Sequence, residues 1–215
     1  MKKIIVFAAL GFSSMTMAQS FGLNAVNLVG GKQFSTFAFK NSDDEKDKTL
    51  KYQMYNAFGV NAELKSDRHI IRPELMFRQA GARTTFNDVQ INWKMNYMNL
   101  NVGYLYSILE GRMFSIQPGV AIGAGYMLNG EQEIGQTRLN IVEEESMNRF
   151  EVSAMGMLNA TAQITPSFSI GLEYRFGIGL NDIENDINEQ MTRNLYHGVM
   201  LNLGFSINTF NKPRI

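Results

Sequence analysis

Residues 168–180 sort into two sets. Phe168, Ile170, Leu172, Tyr174, Phe176, Ile178 and Leu180 alternate with Ser169, Gly171, Glu173, Arg175, Gly177 and Gly179. Successive side chains of a strand point to opposite faces, so this period of two predicts a strand with one apolar and one polar face; a helical period of 3.6 would mix the sets. The pattern returns in residues 195–207, where Leu195, Val199, Leu201, Leu203, Phe205 and Ile207 oppose Tyr196, Gly198, Met200, Asn202, Gly204 and Ser206. It recurs in residues 114–126, 150–161, 71–78 and 52–64. Two further strands, near residues 21–39 and 91–106, bring the expected number to about eight.

The connections also alternate. Lys65-Ser66-Asp67-Arg68, Leu109-Glu110-Gly111-Arg112 and Thr165-Pro166-Ser167 predict tight polar turns, whereas residues 40–51, 80–90, 128–148 and 181–194 predict longer loops. Short turns at one end and long loops at the other are the plan of an outer-membrane barrel, with the short end in the periplasm.

Alternation alone also fits a soluble sandwich with its apolar face inward, and the polar face separates the two. It is rich in glycine and carries charges of both signs: Arg72, Glu74 and Arg78, then Glu173 and Arg175. An eight-stranded barrel has an interior just wide enough for side chains to fill, where opposite charges pair, while an Arg on the lipid face at mid-bilayer costs about 2–4 kcal/mol. The charged face is therefore expected inward and the apolar face against lipid. Closure pairs every backbone group between strands, which hydrocarbon demands of a sheet. Tyr104, Tyr106, Phe114 and Phe168 fall near the short turns and Tyr52 and Tyr126 near the long loops, as two interfacial girdles require. The fold class expected is all-β: a closed antiparallel up-and-down transmembrane β-barrel of about eight strands.

The N-terminus fixes the route. Lys2 and Lys3, the apolar residues 4–12 and then Thr16-Met17-Ala18 have the form of a signal peptide cleaved after Ala18. That divides the chain into residues 1–18, the export signal, and 19–215, a barrel in the bacterial outer membrane. Lys+Arg and Asp+Glu both number 20, so no net positive charge points to nucleic acid. There is no cysteine, which removes disulfides and thiolate metal sites.

Two irregularities stand out. In residues 91–107 the apolar parity switches from Ile91, Trp93, Met95 and Tyr97 to Met98, Leu100, Val102, Tyr104 and Tyr106, which predicts a bulge or a strand running beyond the bilayer. Pro73 and Pro118 fall inside strands, where proline removes a ladder donor, and predict bulges near the periplasmic rim.

Several segments together resemble the PorT-like outer-membrane β-barrel family of the Bacteroidota. They are Arg72-Pro73-Glu74-Leu75-Met76-Phe77 with Ala80-Gly81, Met95-Asn96-Tyr97-Met98-Asn99-Leu100, Gln117-Pro118-Gly119 with residues 123–126, Gly171-Leu172-Glu173-Tyr174-Arg175-Phe176, and residues 198–205. The resemblance covers nearly all of the mature chain and lies in patterned strands, so it implies fold and location; some family members are linked to secretion or gliding machinery.

The candidate chemistry lies at two levels. Arg72, Glu74, Arg78, Glu151, Glu173 and Arg175 on inward faces are expected to form a salt-bridge network filling the lumen; a narrow path for small solutes is the alternative. The long loops hold Asp43, Asp44, Glu45, Asp47, Glu131, Glu133, Glu143, Glu144, Glu145, Asp182, Glu184, Asp186 and Glu189, 13 of the 20 acidic residues. They read as solvated extracellular loops, or as a patch for divalent cations bridging lipopolysaccharide phosphates or for a basic partner. His69 and His197 are the only histidines, which leaves no histidine-pair metal site; His197 near Ser146, Asp182 and Thr192 gives the sole arrangement resembling a rim-located acyl-transfer site, and its parity points to lipid. The resulting expectation is a monomeric, non-enzymatic outer-membrane protein without cofactor or metal, structural, adhesive or secretion-related, partnered by outer-membrane lipid and lipopolysaccharide and by envelope or secretion proteins.

Overall fold

A computed structural model describes residues 21–40, 49–145, 147–184 and 191–207. The described strands are, in chain order, β1 (Gly22–Lys40), β2 (Gln53–Ser66), β3 (His69–Ala80), β4 (Arg83–Phe86), β5 (Val89–Tyr106), β6 (Leu109–Glu110), β7 (Phe114–Ile134), β8 (Thr137–Asn140), β9 (Phe150–Thr165), β10 (Phe168–Gly179) and β11 (Met191–Ser206). Eight of them close a ring in the order β1-β2-β3-β5-β7-β9-β10-β11, each antiparallel to the next, and β11 returns to β1 in unbroken register from Ala25↔Ser206 to Lys40↔Met191. The sheet therefore has no free edge along the wall.

The large apolar side chains are the exposed ones. On β10, Leu172, Tyr174 and Phe176 are about half exposed while Glu173 and Arg175 between them are shut in, at 0% and 2% exposure. A water-soluble protein does the reverse. The missing solvent for Leu28, Phe58, Leu75, Leu100, Ile122 and Leu201 is hydrocarbon, and a closed ladder is the one sheet that hydrocarbon tolerates.

Hydrogen-bonded rows climb around the barrel. The row starting at Pro118 of β7 runs through Leu158, Tyr174, Val199, Lys32 and Asn56, passes to Gln79 by the Asn56–Gln79 hydrogen bond, and continues through Asn96 to Asn129, back on β7 but 11 residues further along (129 − 118), one of them the extra residue Leu128. Such a stagger is the shear a tilted, closed barrel requires.

Two of the expected long loops are paired backbone instead. Residues 80–90 hold β4, which continues the line of β3 and pairs with β5 up to a two-residue turn at Asn87 and Asp88, both at positive φ (47° and 61°). That is the turn whose twist matches a β-hairpin, and Asn and Asp tolerate it. Within residues 128–148, β8 folds back on β7 through a turn at Gly135.

The parity switch in β5 is also resolved. Alternation in β5 is unbroken: Met95, Tyr97, Asn99, Asn101, Gly103 and Leu105 face in, and Lys94, Asn96, Met98, Leu100, Val102 and Tyr104 face out. What changes is the solvent outside, because the strand runs beyond the bilayer and carries its apolar residues inward once the wall meets water. The bulge lies on the partner: Asn96 pairs Asn129 and Tyr97 pairs Met127, so Leu128 of β7 is the extra residue. Pro73 and Pro118, expected to sit at bulges, hold the regular register, Pro73↔Val102 and Pro118↔Leu158. Pro73 interrupts the ladder to β2 between Asn61↔Glu74 and Leu64↔Ile71 with equal spacing on both strands. Pro118 lies one residue past the last pairing of β7 with β5, Leu105↔Gly119, where a missing donor is harmless.

Candidate functional site

The lumen is built in three layers. Nearest the short turns, Asn27, Asn61, Gln117, Asn159 and Asn202 form an amide layer, with Asn27 donating to Asn61 at 2.6 Å and Asn159 donating to Gln117 at 2.8 Å. It borders a polar cavity of about 120 Å³ with Glu63, Lys65, Glu110 and Arg112 at its mouth.

Above it the structure brings all six lumen charges together. Arg175 of β10 makes a forked contact to Glu74 of β3, Nη1 to Oε1 at 2.8 Å and Nη2 to Oε2 at 2.6 Å, and also bonds Glu173 beside it. Arg72 of β3 bonds Glu173 in turn. Asn101 donates to Glu74 at 2.9 Å. One step higher, Arg78 reaches Glu151 at 2.6 Å and Asn99 at 3.1 Å, and Asn194 donates to the other Glu151 oxygen at 2.6 Å. The Arg78 guanidinium lies over the Tyr97 and Tyr196 rings, 4.9 and 4.7 Å from their centroids, a favourable stack for a delocalised cation. Gly177 leaves the room for Tyr196: a Cβ there would overlap the ring.

The topology gives these bonds their meaning. In the ring order β3 and β10 stand four strands apart in a ring of eight, so the Arg72–Glu173 and Arg175–Glu74 bridges cross the full diameter of the barrel. Three cations and three anions, none more than 5% exposed, balance with no net charge, and Met76, Met157 and Met200 pack among them. Each guanidinium meets at least one carboxylate, while Arg72 Nη1 and Arg78 Nη1 are buried without a hydrogen-bond partner among the described residues.

The third layer is apolar. Phe37, Ala80, Ala82, Met95, Tyr97, Met127, Ile141, Met147 and Ile183 pack inside the mouth at the end away from the short turns, with Leu50, Trp93 and Val142 against them. Tyr97 belongs to both upper layers, so the cap rests directly on the Arg78 seat.

The acidic connections divide. Glu143, Glu144 and Glu145 are exposed at a turn beyond β8. Asp182 and Glu184 are half-buried and hold their own connection: Asp182 accepts from the Glu184 and Thr192 backbone N–H groups at 3.0 and 2.9 Å, and the Thr192 hydroxyl donates to Glu184 at 2.5 Å. Expected as solvated loop charge, these two are structural instead. Asp43, Asp44, Glu45, Asp47, Asp186 and Glu189 lie outside the described residues, as does Ser146. The His197 grouping does not assemble: His197 lies on the outward face while Thr192 is buried and bonded to the half-buried Asp182. Its ring stacks on Phe34 (5.3 Å) and meets Tyr52 (5.2 Å) and Tyr174 (6.2 Å).

Sequence reading missed one outward feature, a chain of polar side chains along the row described above. Lys32 donates to Asn56 at 2.7 Å, the Asn56 backbone N–H to Gln79 at 3.3 Å, Gln79 to Asn96 at 3.0 Å, and Asn96 to Asn129. The signal available was a polar residue, Lys32, Asn56, Gln79, Asn96 or Asn129, on the outward face of each of these five strands.

The family described as outer membrane protein beta-barrel domain matches residues 4–209. No curated protein matches in sequence. Among solved structures, the outer membrane protein OprG from Pseudomonas aeruginosa is similar at a TM-score of 0.52 and 8% identity, over 88% of this chain and 98% of that one. Neisserial surface protein A is similar at 0.50 and 8%, over 83% and 97%. Ail, the attachment invasion locus protein of Yersinia pestis, aligns at 0.42 and 14%, over 86% and 100%. At these identities the likeness shows the fold, and the family match adds the compartment. The chain belongs to the outer-membrane β-barrel domain family of the bacterial outer membrane.

Proposed function

We propose that the protein is a non-enzymatic, non-conducting barrel that holds its extracellular hairpins at the cell surface as an adhesive or envelope-assembly component. The observation that carries this reading is the pair of Arg–Glu bridges across the diameter of the lumen, with the apolar cap above them. A solute path would have to break buried ion pairs and then pass a water-excluding core. Function then falls to the β4–β5 and β7–β8 hairpins and to the exposed Glu143, Glu144 and Glu145, whose charge suits a basic partner surface or bridging divalent cations. On the strand motifs around Arg72-Pro73-Glu74 and Gly171-Leu172-Glu173 we take it as PorT-like and secretion-related, processed after Ala18 and monomeric.

Planar-bilayer recording of the purified, folded protein tests the closed lumen. No unitary conductance is expected; stable ohmic steps would replace the scaffold with a narrow channel. Salt- or chelator-sensitive capture of an envelope protein, weakened when Glu143, Glu144 and Glu145 become Gln, supports the surface role, and indifference to both sinks it.

A further inference from the structure

Lys32 is an outward-facing lysine on a lipid-facing wall. Below it on β1 the outward residues are Val26, Leu28 and Gly30, and above it is Phe34. Its row neighbour on one side is the exposed Val199, followed by Tyr174. On the other side the polar staircase begins with Asn56 and climbs away through Gln79, Asn96 and Asn129. Lys32 is thus the lowest step, the one that dips into the apolar wall on the extracellular half. No carboxylate pairs with it among the described residues, and its bond to Asn56 satisfies one of its three N–H donors.

The row immediately above brings more donors to the same place. Phe176, His197, Phe34 and Met54 are in register, and the His197 ring lies among Phe34, Tyr52 and Tyr174 with no hydrogen-bond partner for either nitrogen among the described residues. The Tyr52 and Tyr174 hydroxyls have no partner there either, and both residues are nearly half exposed. One patch of wall therefore carries an ammonium, an imidazole and two phenols, with aromatic faces between them and no anion. A charge on the lipid face is tolerated near an interface and is costly deeper in, so a lysine at this depth calls for an acceptor from the lipid side.

We infer that the β2–β1–β11–β10 wall binds the phosphate of an outer-leaflet lipid, held by Lys32 with His197 and the Tyr52 and Tyr174 hydroxyls, its acyl chains lying along the apolar wall below. Lys32 supplies the charge-assisted bond, and the rings flank the headgroup. The site is on the outer wall and is independent of whether the lumen conducts.

Native mass spectrometry of the full-length protein released from dodecyl maltoside micelles, which carry no phosphate, doped with lipid A tests this. One lipid A retained per barrel is expected, with little retention of the same lipid stripped of its phosphates. Lys32→Gln should lower retention about tenfold, the order expected for one charge-assisted hydrogen bond. His197→Phe, which keeps the ring packing, should lower it less. Lys94→Gln, an outward lysine beyond the apolar wall, should leave it unchanged, and heat-modifiability on a gel shows that each variant is folded. Equal retention by wild type and Lys32→Gln, equal retention of the dephosphorylated lipid, an equal loss in Lys94→Gln, or displacement of the lipid by millimolar inorganic phosphate would each overturn the site.

Discussion

The same strands make two opposite proteins. In the spanning part of β5, Asn99 and Asn101 face in and Met98, Leu100 and Val102 face out; a few residues higher, Met95 and Tyr97 face in and Lys94 and Asn96 face out. The backbone alternation runs through both parts unchanged. Only the outer solvent differs, hydrocarbon below and water above, and each part turns toward that solvent the face it can dissolve. The lower interior is left with Arg–Glu bridges, and the upper interior becomes an ordinary apolar core sitting on them.

Deleting Asn96 should break this arrangement most severely. The faces of β5 above the deletion would exchange, sending Lys94 into the cap and Met95 outward, because a one-residue slip flips every later side chain. Loss of the fast-migrating unboiled form on a gel is expected, and a folded barrel of normal melting temperature would contradict the two-solvent account.

Next in size, Glu173→Gln strips one carboxylate from between Arg72 and Arg175, and orphaning a buried charge costs about 3–5 kcal/mol. A large fall in the temperature at which heat-modifiability is lost reads this out. Leu100→Lys places on the lipid face of β5 the charge that Lys94 carries three outward positions higher, and should cost about 2–4 kcal/mol if that face is deep in the bilayer. Equal stability to wild type in urea unfolding from vesicles would mean the apolar wall ends lower than described. The smallest effect should come from deleting Leu128: this removes the bulge, keeps Met127 and Gly130 inward and Glu131 outward, and is expected to change stability by less than about 1 kcal/mol.

Period-two alternation made the barrel and its inward charges legible, because lipid and lumen demand opposite chemistry at adjacent residues. Arg72, Glu74, Glu173 and Arg175 could be placed inside from parity alone, but which Arg meets which Glu depends on ring order, since the partners lie on opposite strands. The hairpins were hidden because Asn87-Asp88 is a weaker turn signal than Asn-Gly, and residues 80–90 are polar enough to pass for a loop. The switch in residues 91–107 left two readings open, and the finished ladder separates them: β5 crosses the membrane boundary and β7 carries the bulge. Lys32 escaped notice because a single polar residue in an apolar face has no pattern of its own; only the climbing row ties it to Asn56 and Gln79.

The two-residue turn at Asn87 and Asp88 sets a rule for how this surface can grow. A hairpin closed so tightly above a packed core accepts new length in pairs: two residues added to each arm leave every side chain on its own face, while a single added residue reverses the arm beyond it unless the partner strand absorbs it. Leu128 on β7 has the form of such an absorbed residue. Reach at the cell surface is therefore quantised, and a longer crown would be built by even insertions at the tip while the wall and its bridges stay as they are.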